Sequence, residues 1–182
     1  MGTSKDEAQW VLRAQCGDRE ALELVLAAIQ APLLRYARSI VGAEQAEDVL
    51  QDALIIVARK LTWLDNPELV RPWAYRIASR VAFRHLKRQR RWSEQRGESL
   101  IEDMIAAPEV SREDVLHDLL SAEGISPSSR AVLILHFQEE MTLPEVAAIL
   151  EIPLGTAKSR LAYGLARSAD NLAATGDANG TR

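Results

Sequence analysis

Residues 142–161 read TLPEVAAILEIPLGTAKSRL, and this stretch decides the fold class. Thr142 and Glu145 have the spacing of a capping box, which satisfies backbone N–H groups left free at a helix start. Pro144 falls in the first turn, where a missing N–H costs little. Val146, Ala147, Ile149 and Leu150 give a short helix one apolar side. Pro153 marks a break, and a second helix starts near Leu154 or Gly155. Two short helices joined by a tight turn form a helix-turn-helix, which places its second helix in a major groove.

On a wheel of about 100° per residue, Leu154, Ala157, Leu161, Leu165, Ser168 and Leu172 share one side of that second helix. Thr156, Ser159, Arg160, Tyr163 and Arg167 share the other, which holds hydroxyls, two guanidiniums and a phenol but no carboxylate. Arg reads guanine bidentately, and Ser, Thr and Tyr reach phosphates or base edges. Lys158 lies at the flank as a phosphate contact. The same pattern also fits an ordinary amphipathic hairpin with a solvated polar face, and the periodicity alone leaves both open.

Outward from this stretch, helical periodicity dominates and no strand pattern or hairpin turn is evident. Helices are expected over 5–15, 19–41 (with Pro32 kinking or splitting it), 43–62, 72–92, 112–123, 127–140, 142–150 and 154–173. Cys16-Gly17-Asp18 reads as a helix stop followed by a cap, and Asn66-Pro67 as a loop. Residues 93–111 are polar and acidic with weak periodicity, a linker holding at most one short helix near 99–105. Residues 174–182 read as a small, polar, disordered tail. The expectation is an all-α protein of two small helical domains, 1–92 and 112–173, joined by a flexible linker.

The 182 residues contain one cysteine, Cys16, so no internal disulfide is possible. With His85, His117 and His136 scattered, there is no metal-ligand spacing. No apolar run approaches a membrane span, and the first ten residues lack the apolar core of a signal peptide. A soluble, cytoplasmic chain is expected. No phosphate-binding glycine loop, nucleophile motif or acid cluster suggests an enzyme or a cofactor. Cys16 is expected as a half-buried structural thiol rather than a redox sensor.

The net charge of −4 hides an asymmetry. Residues 71–96 carry nine basic residues and one acid, Glu94, a local charge of +8, which leaves the remainder at −12. Such a chain presents one surface to phosphates and keeps others for a different partner. Within the basic segment Arg76, Arg80, Arg84, Lys87 and Arg91 form one stripe, with Arg88 beside it. Ile77, Ala78, Val81 and Ala82 point to a core, Trp73 lies at the margin, and Tyr75 and Phe83 fall elsewhere on the circumference. Cations bordered by aromatics suit single-stranded or distorted nucleic acid. The competing reading makes Trp73 and Tyr75 core and the arginines a solvated face.

The helix at 43–62 has a buried side of Ala46, Val49, Leu50, Ala53, Leu54, Val57 and Leu61. Its opposite face carries Asp48, Gln51, Asp52, Ile55 and Arg59. An isolated exposed apolar residue usually means nothing. Flanked by acids and an amide, Ile55 also fits the anchor of a protein interface with a polar rim.

In this order the segments resemble the extracytoplasmic-function (ECF) sigma factors of bacteria. CGDREALELVLAAI is similar to the family's opening helix, AEDVLQDALIIVARKL to its polymerase-binding helix and RPWAYRIASRVAFRHLKRQRR to its promoter-melting helix. ISPSSRAVLILHFQEEMTLPEVAAILEIPLGTAKSRL is similar to its C-terminal helix-turn-helix domain. The resemblance implies a sigma factor that directs core RNA polymerase to promoters and is held inactive by an anti-sigma factor. It implies clamp contacts through Asp48, Gln51, Asp52 and Ile55. The minus-ten element would be read and melted by the 64–71 loop with Trp73, Arg76, Arg80, Arg84, Lys87, Arg88 and Arg91. The minus-thirty-five duplex would be read by Thr156, Lys158, Ser159, Arg160, Tyr163 and Arg167, with the polymerase flap bound by the same domain. Two alternatives stand beside it. A stand-alone helix-turn-helix regulator binding operator DNA as a dimer leaves the Ile55 face and the basic helix without a role. An interaction protein that sequesters a partner leaves the basic stripe without one.

The chain departs from the family pattern where Arg80 and Arg84 replace the Asn and Asp of many relatives. Ala162, Tyr163 and Leu165 also stand where relatives are often basic, which implies a weaker grip that depends on the core enzyme. Arg80 and Arg84 add charge and remove an amide that reads a base. Selection over randomised minus-ten sequences is therefore expected to return a motif different from that of ordinary relatives; an identical motif would refute this.

Overall fold

The computed structural model describes residues 4–95 and 124–178. All regular structure among these residues is helical. It comprises α1 (Ser4–Gln15), α2 (Arg19–Val41), α3 (Ala43–Lys60), two 3₁₀ turns (Leu61–Trp63 and Pro67–Leu69) and α4 (Val70–Gln95). Then come α5 (Pro127–Leu133) with a π-helical extension (Ile134–Gln138), α6 (Leu143–Leu150) and α7 (Leu154–Ala178). Two compact units, Met1–Lys87 and Arg88–Arg182, divide within α4. Most of the expected linker, the short helix near 99–105, the helix at 112–123 and residues 179–182 lie outside the described residues.

The first unit is set by its helix ends. Gly17, at φ +93°, reverses the chain after α1 in a conformation that glycine adopts freely. Asp18 then caps α2, its carboxylate accepting from the Ala21 N–H at 3.1 Å. That backbone bond first, and the hydrogen bond from Arg13 second, hold the Asp18 carboxyl below its ordinary range. Cys16 sits in this turn and is exposed, not half-buried as expected. Gly42, at φ +86°, breaks the chain between α2 and α3. Pro32 does not divide α2. Buried Ile29, Leu33 and Tyr36 anchor the helix on both sides of it, and the one lost hydrogen bond is absorbed there. α2 is long and apolar enough to cross a membrane by length and composition alone, which the sequence reading missed. Its apolar stripe of Val25, Ile29, Leu33, Tyr36 and Ile40 is instead buried inside the unit.

Ala46, Val49, Leu50, Ala53 and Val57 are buried along α3 and Leu61 just beyond it, as the periodicity predicts, while Leu54 is half-buried. α3 ends at Lys60, short of the expected 62, because the chain tightens into a 3₁₀ turn at Leu61–Trp63. α4 contributes Ala74, Tyr75, Ile77, Ala78, Val81 and Ala82 to the core. Tyr75 thus goes inside. Its ring meets Tyr36 edge-on at 5.4 Å. The Ser79 hydroxyl donates to the Tyr75 carbonyl at 2.7 Å and lies 2.7 Å from the Tyr36 hydroxyl, which donates to it. Burial pushes the Tyr36 phenol well above its usual range. α4 continues to Gln95, so the first residues expected in the linker are helical.

In the second unit, Ser126 caps α5 with Pro127 in its first turn. The helix expected over 127–140 widens to π-helical geometry at Ile134–Gln138, where Ile134 and Leu135 are both buried. The chain leaves through Glu140 at φ +54°, and His136 Nδ1 lies 2.7 Å from the Met141 carbonyl. α6 opens with the expected capping box between Thr142 and Glu145. α7 runs through Ala178, so residues 174–178, expected in a disordered tail, are helical. Alanines at 173, 174 and 178 favour that extension.

The buried side of α7 is Ala157, half-buried Leu161, Gly164 and Ser168. Leu154 and Leu165, expected inside, are exposed. Gly164 causes the shift: a Cβ there would stand 2.6 Å from Leu133 Cδ1, so the missing side chain admits Leu133 against the helix backbone. Gly164→Ala gains about 1 kcal/mol of helix propensity but overpacks a buried leucine at a cost of roughly 1–3 kcal/mol. A net loss of about 1 kcal/mol is expected in denaturant unfolding followed by circular dichroism; a gain in stability would show that Leu133 has room to move.

Candidate functional site

Three surfaces hold the candidate residues. On α3, Asp48, Gln51, Asp52 and Ile55 are all exposed, Ile55 by 42%. Ile55 is not an isolated apolar residue. With Leu26, Gln30, Leu50, Gln51 and Leu54 it lines a cleft of about 340 Å³ between α2 and α3. Glu47 stands at the rim, 3.8 Å from Arg38 in an ion pair open to solvent, which contributes little to stability. The arrangement is an apolar furrow edged by the Glu47 carboxylate and the amides of Gln30 and Gln51, the anatomy of a protein interface.

The second surface is the 61–69 loop with α4. Arg76, Arg80, Arg84, Lys87, Arg88 and Arg91 are exposed along α4. At about 1.5 Å per residue they form a cationic ribbon roughly 22 Å long. Arg71 does not belong to it: its guanidinium makes two hydrogen bonds to the Glu7 carboxylate, at 2.8 and 2.6 Å. Trp73 is half-buried against a cluster of Val11, Val25, Leu61, Leu64 and Val70. With Tyr75 buried too, the aromatics expected to border the ribbon are largely core, as the competing reading had it, while the cations face out.

Trp63 is the most exposed aromatic of this surface, 74% open in the 3₁₀ turn after α3, with Trp92 60% exposed near the end of α4; the Lys60 ammonium lies 5.6 Å from the Trp63 ring centre. The sequence reading missed it because the α3 pattern was carried to 62 and the candidate loop begun at 64. A tryptophan beside the Asn66-Pro67 break was the available signal. Asn66 rigidifies the loop by accepting from the Glu68 N–H at 3.1 Å. An exposed indole on a fixed turn, beside a cationic helix, offers a face on which an unstacked base can lie.

The third surface is the helix-turn-helix. The capping box makes its turn definite: the Thr142 N–H donates to Glu145 Oε2 at 2.8 Å and the Thr142 hydroxyl to the same oxygen at 2.6 Å. The hydroxyl first, then the backbone N–H, holds the Glu145 carboxyl below its ordinary range. Glu151 closes α6 in the left-handed conformation, and α7 begins at Leu154. Because the buried stripe runs through Ala157 and Gly164, the centre of the outward face is Gly155, Lys158, Ser159, Ala162 and Ala166. Lys158 and Ser159 are fully on it, though the Ser159 hydroxyl donates to the Thr156 carbonyl at 3.0 Å. Thr156 and Arg160 are half-buried at its edge. Tyr163 is exposed, and its hydroxyl lies 3.4 Å from the Gly124 carbonyl. The Arg167 guanidinium also packs over Gly124, so these two side chains lean toward the start of their own unit.

Known proteins match in the same order. The family model for sigma-70 region 2 matches residues 26–92, and that for sigma-70 region 4 matches residues 123–167. The RNA polymerase sigma-E factor of Streptomyces coelicolor is 31% identical over 149 residues, covering 80% of this chain and 82% of its own. The RNA polymerase sigma-H factor of Pseudomonas aeruginosa is 28% identical over 179 residues, covering 88% and 91%. The ECF RNA polymerase sigma-E factor of Escherichia coli K12 is 26% identical over 168 residues, covering 83% and 86%. Among solved structures, the sigma factor RpoE in complex with the anti-sigma factor NepR from Bartonella quintana shares the fold with a TM-score of 0.69. It is 21% identical, over 82% of this chain and 95% of that one. CnrH in complex with the cytosolic domain of CnrY gives a TM-score of 0.64 at 22% identity, over 93% and 98%.

Trp63→Ala tests the second surface. The ring is exposed, so stability is expected to change by less than about 0.5 kcal/mol. Binding to single-stranded DNA is expected to weaken by about tenfold, since stacking on one base is worth about 1–3 kcal/mol. Urea unfolding reads the first and fluorescence anisotropy with labelled oligonucleotides the second; unchanged affinity would remove Trp63 from the site.

Proposed function

The chain belongs to the ECF sigma factors, a family of transcription initiation factors, and from that premise we propose how its surfaces divide the work of promoter opening. The first unit binds the clamp of core RNA polymerase through α3, with Ile55 as the apolar anchor and Asp48, Gln51 and Asp52 as its polar rim. The single observation that carries this is the cleft beside Ile55, since an exposed apolar furrow with Glu47 at its rim, on a helix that also exposes Asp48 and Asp52, suits a basic, amphipathic helix. The same unit, together with the end of α4, engages the minus-ten element. Trp63 receives an unstacked base, while Arg76, Arg80, Arg84, Lys87, Arg88 and Arg91 follow the phosphates of the opened strand.

The second unit places α7 in the major groove at the minus-thirty-five element, with Lys158 and Ser159 central and Thr156, Arg160, Tyr163 and Arg167 toward one edge. It also contacts the flap. So few cations on the outward face support modest affinity for free duplex and dependence on the polymerase for tight binding. No bond of the DNA is made or broken. Opening is driven by interactions available only to the separated strand, in the cytoplasm of a bacterium.

An anti-sigma factor holds the chain inactive by covering these surfaces, a reading supported by the sigma factor RpoE, which is found in complex with the anti-sigma factor NepR. The apolar cleft between α2 and α3 is the natural target, because a competitor there excludes the clamp. A free helix-turn-helix dimer would leave that cleft and the exposed Trp63 without a role.

Run-off transcription with bacterial core polymerase tests the reading, comparing wild type with the Gln51→Ala/Ile55→Glu double variant. Promoter-specific transcripts that require the chain and disappear with the double variant are expected. Transcripts that survive the double variant would move the clamp contact elsewhere, and tight polymerase-independent binding to a palindromic site would favour the dimeric regulator.

A further inference from the structure

Glu7, Val11 and Gln15 are spaced four apart on α1 and therefore share one face of it. All three grip the segment that presents Trp63. The Gln15 side-chain amide donates to the Leu61 carbonyl at 2.9 Å and to the Leu64 carbonyl at 2.8 Å. Both amide hydrogens are used, one on each side of Trp63. The Leu64 N–H closes the turn onto the Leu61 carbonyl at 3.1 Å. Val11, fully buried, packs with Leu61, Leu64 and Val70. Glu7, also buried, holds Arg71 at the far end of the loop through two hydrogen bonds. The chain from Leu61 to Arg71 is thus fastened at its start, centre and end by one face of a helix some fifty residues earlier.

Resting on the sigma reading above, we propose that α1 is a splint that pre-shapes the base-capturing loop and that Gln15 is a positioning residue for Trp63. A loop already fixed in its bound shape loses less conformational entropy on capturing a base. With the carbonyls of Leu61 and Leu64 tied down, the side chain between them has one way out, and it leads to solvent. Gln15 touches no DNA in this scheme. It governs minus-ten capture through the indole.

The experiment is run-off transcription by the full chain with core polymerase on two promoters, identical except that one has abasic sites through the minus-ten element. Gln15→Met keeps the length and removes both donors. Ile40→Val, a change in a buried residue of α2 outside the loop cluster, serves as a matched destabilised control, and Gln15→Lys restores donors to the same carbonyls. On the intact promoter Gln15→Met is expected to lose about fivefold to tenfold, the scale of one stacked base. On the abasic promoter it should equal wild type, and Gln15→Lys should recover most of the loss. Combined with Trp63→Ala, the loss should not grow, because both changes remove the same interaction.

Equal losses on both promoters, losses matched by Ile40→Val, or full additivity with Trp63→Ala would each reduce Gln15 to an ordinary stabilising residue. If wild type itself directs no promoter-specific transcript, the sigma reading fails and this inference falls with it. If wild type is active and Gln15→Met is indistinguishable from it, only this inference falls.

Discussion

The pairing of Glu7 with Arg71 is the constraint on which the first unit turns. Glu7 is almost wholly shielded from water, and a carboxylate in that position is tolerated only with a cation and good hydrogen-bond geometry. Arg71 supplies both, in the two-pronged contact its planar guanidinium favours. Removing one member of a fully buried pair typically costs about 3–5 kcal/mol, because the other is left uncompensated. The cost here is smaller, since Arg71 remains partly in water. The positional consequence matters more than the energy. The pair fixes the first turn of α4 against α1, and so sets where the cationic ribbon starts and where the loop before it must end. It also takes one of the nine basic residues of the segment out of DNA binding. The electrostatic surface is therefore narrower than the sequence count implies.

That narrowing fits a chain whose net charge is −4. A sigma factor coated with cations would hold DNA indiscriminately, because phosphate contacts are insensitive to sequence. Here a run of exposed cations follows α4, while Asp48 and Asp52 are exposed on α3 and Glu47 stands at the rim of the apolar cleft. On the proposed reading, polymerase and DNA are told apart by charge before any base is read. Phosphate affinity is then concentrated where strand separation occurs, and the outward face of α7 keeps Lys158 and Ser159 among small residues.

Most of the described helices and several of their starts are legible in the sequence because their causes are local. The α3 stripe follows from spacing alone. Asp18 and Thr142 cap helices three residues away, and Gly17 and Gly42 stand where the chain needs a positive φ. The features that escaped depend on distant partners or on residues that give no hydrophobic signal. Gly164 is central to the packing of α7 but reads as neutral on a wheel, so the wheel adds Leu154 and Leu165 to a buried side that Ala157, Leu161 and Ser168 share with Gly164. Tyr75 lay outside the expected core because its partner, Tyr36, comes from another helix. Gln15 is an unremarkable polar residue in sequence, and its carbonyl partners lie 46 and 49 positions on. The widening at Ile134–Gln138 leaves no mark in an apolar run that suits either helical geometry. Of the candidate sites, the acidic face of α3 and the cations of α4 are readable as patterns, whereas Trp63 falls in the gap between a helix expected to end two residues later than it does and a loop expected to start at 64.

The magnitudes also constrain how such a molecule opens DNA. Extracting a base from the duplex stack costs a few kcal/mol, and stacking it on one indole returns about 1–3 kcal/mol. On the proposed reading, Trp63 alone therefore brings the equilibrium near balance rather than driving it. The remainder has to come from phosphates of the freed strand meeting the α4 ribbon, an interaction that weakens steeply with salt, and from the loop arriving already shaped. Preorganisation adds no contact; it removes an entropic cost that a floppy loop would bear at the moment of capture. A system poised so close to balance gains most from small improvements in geometry. On that account two hydrogen bonds from a glutamine on α1 can matter to promoter opening as much as a residue that touches the DNA.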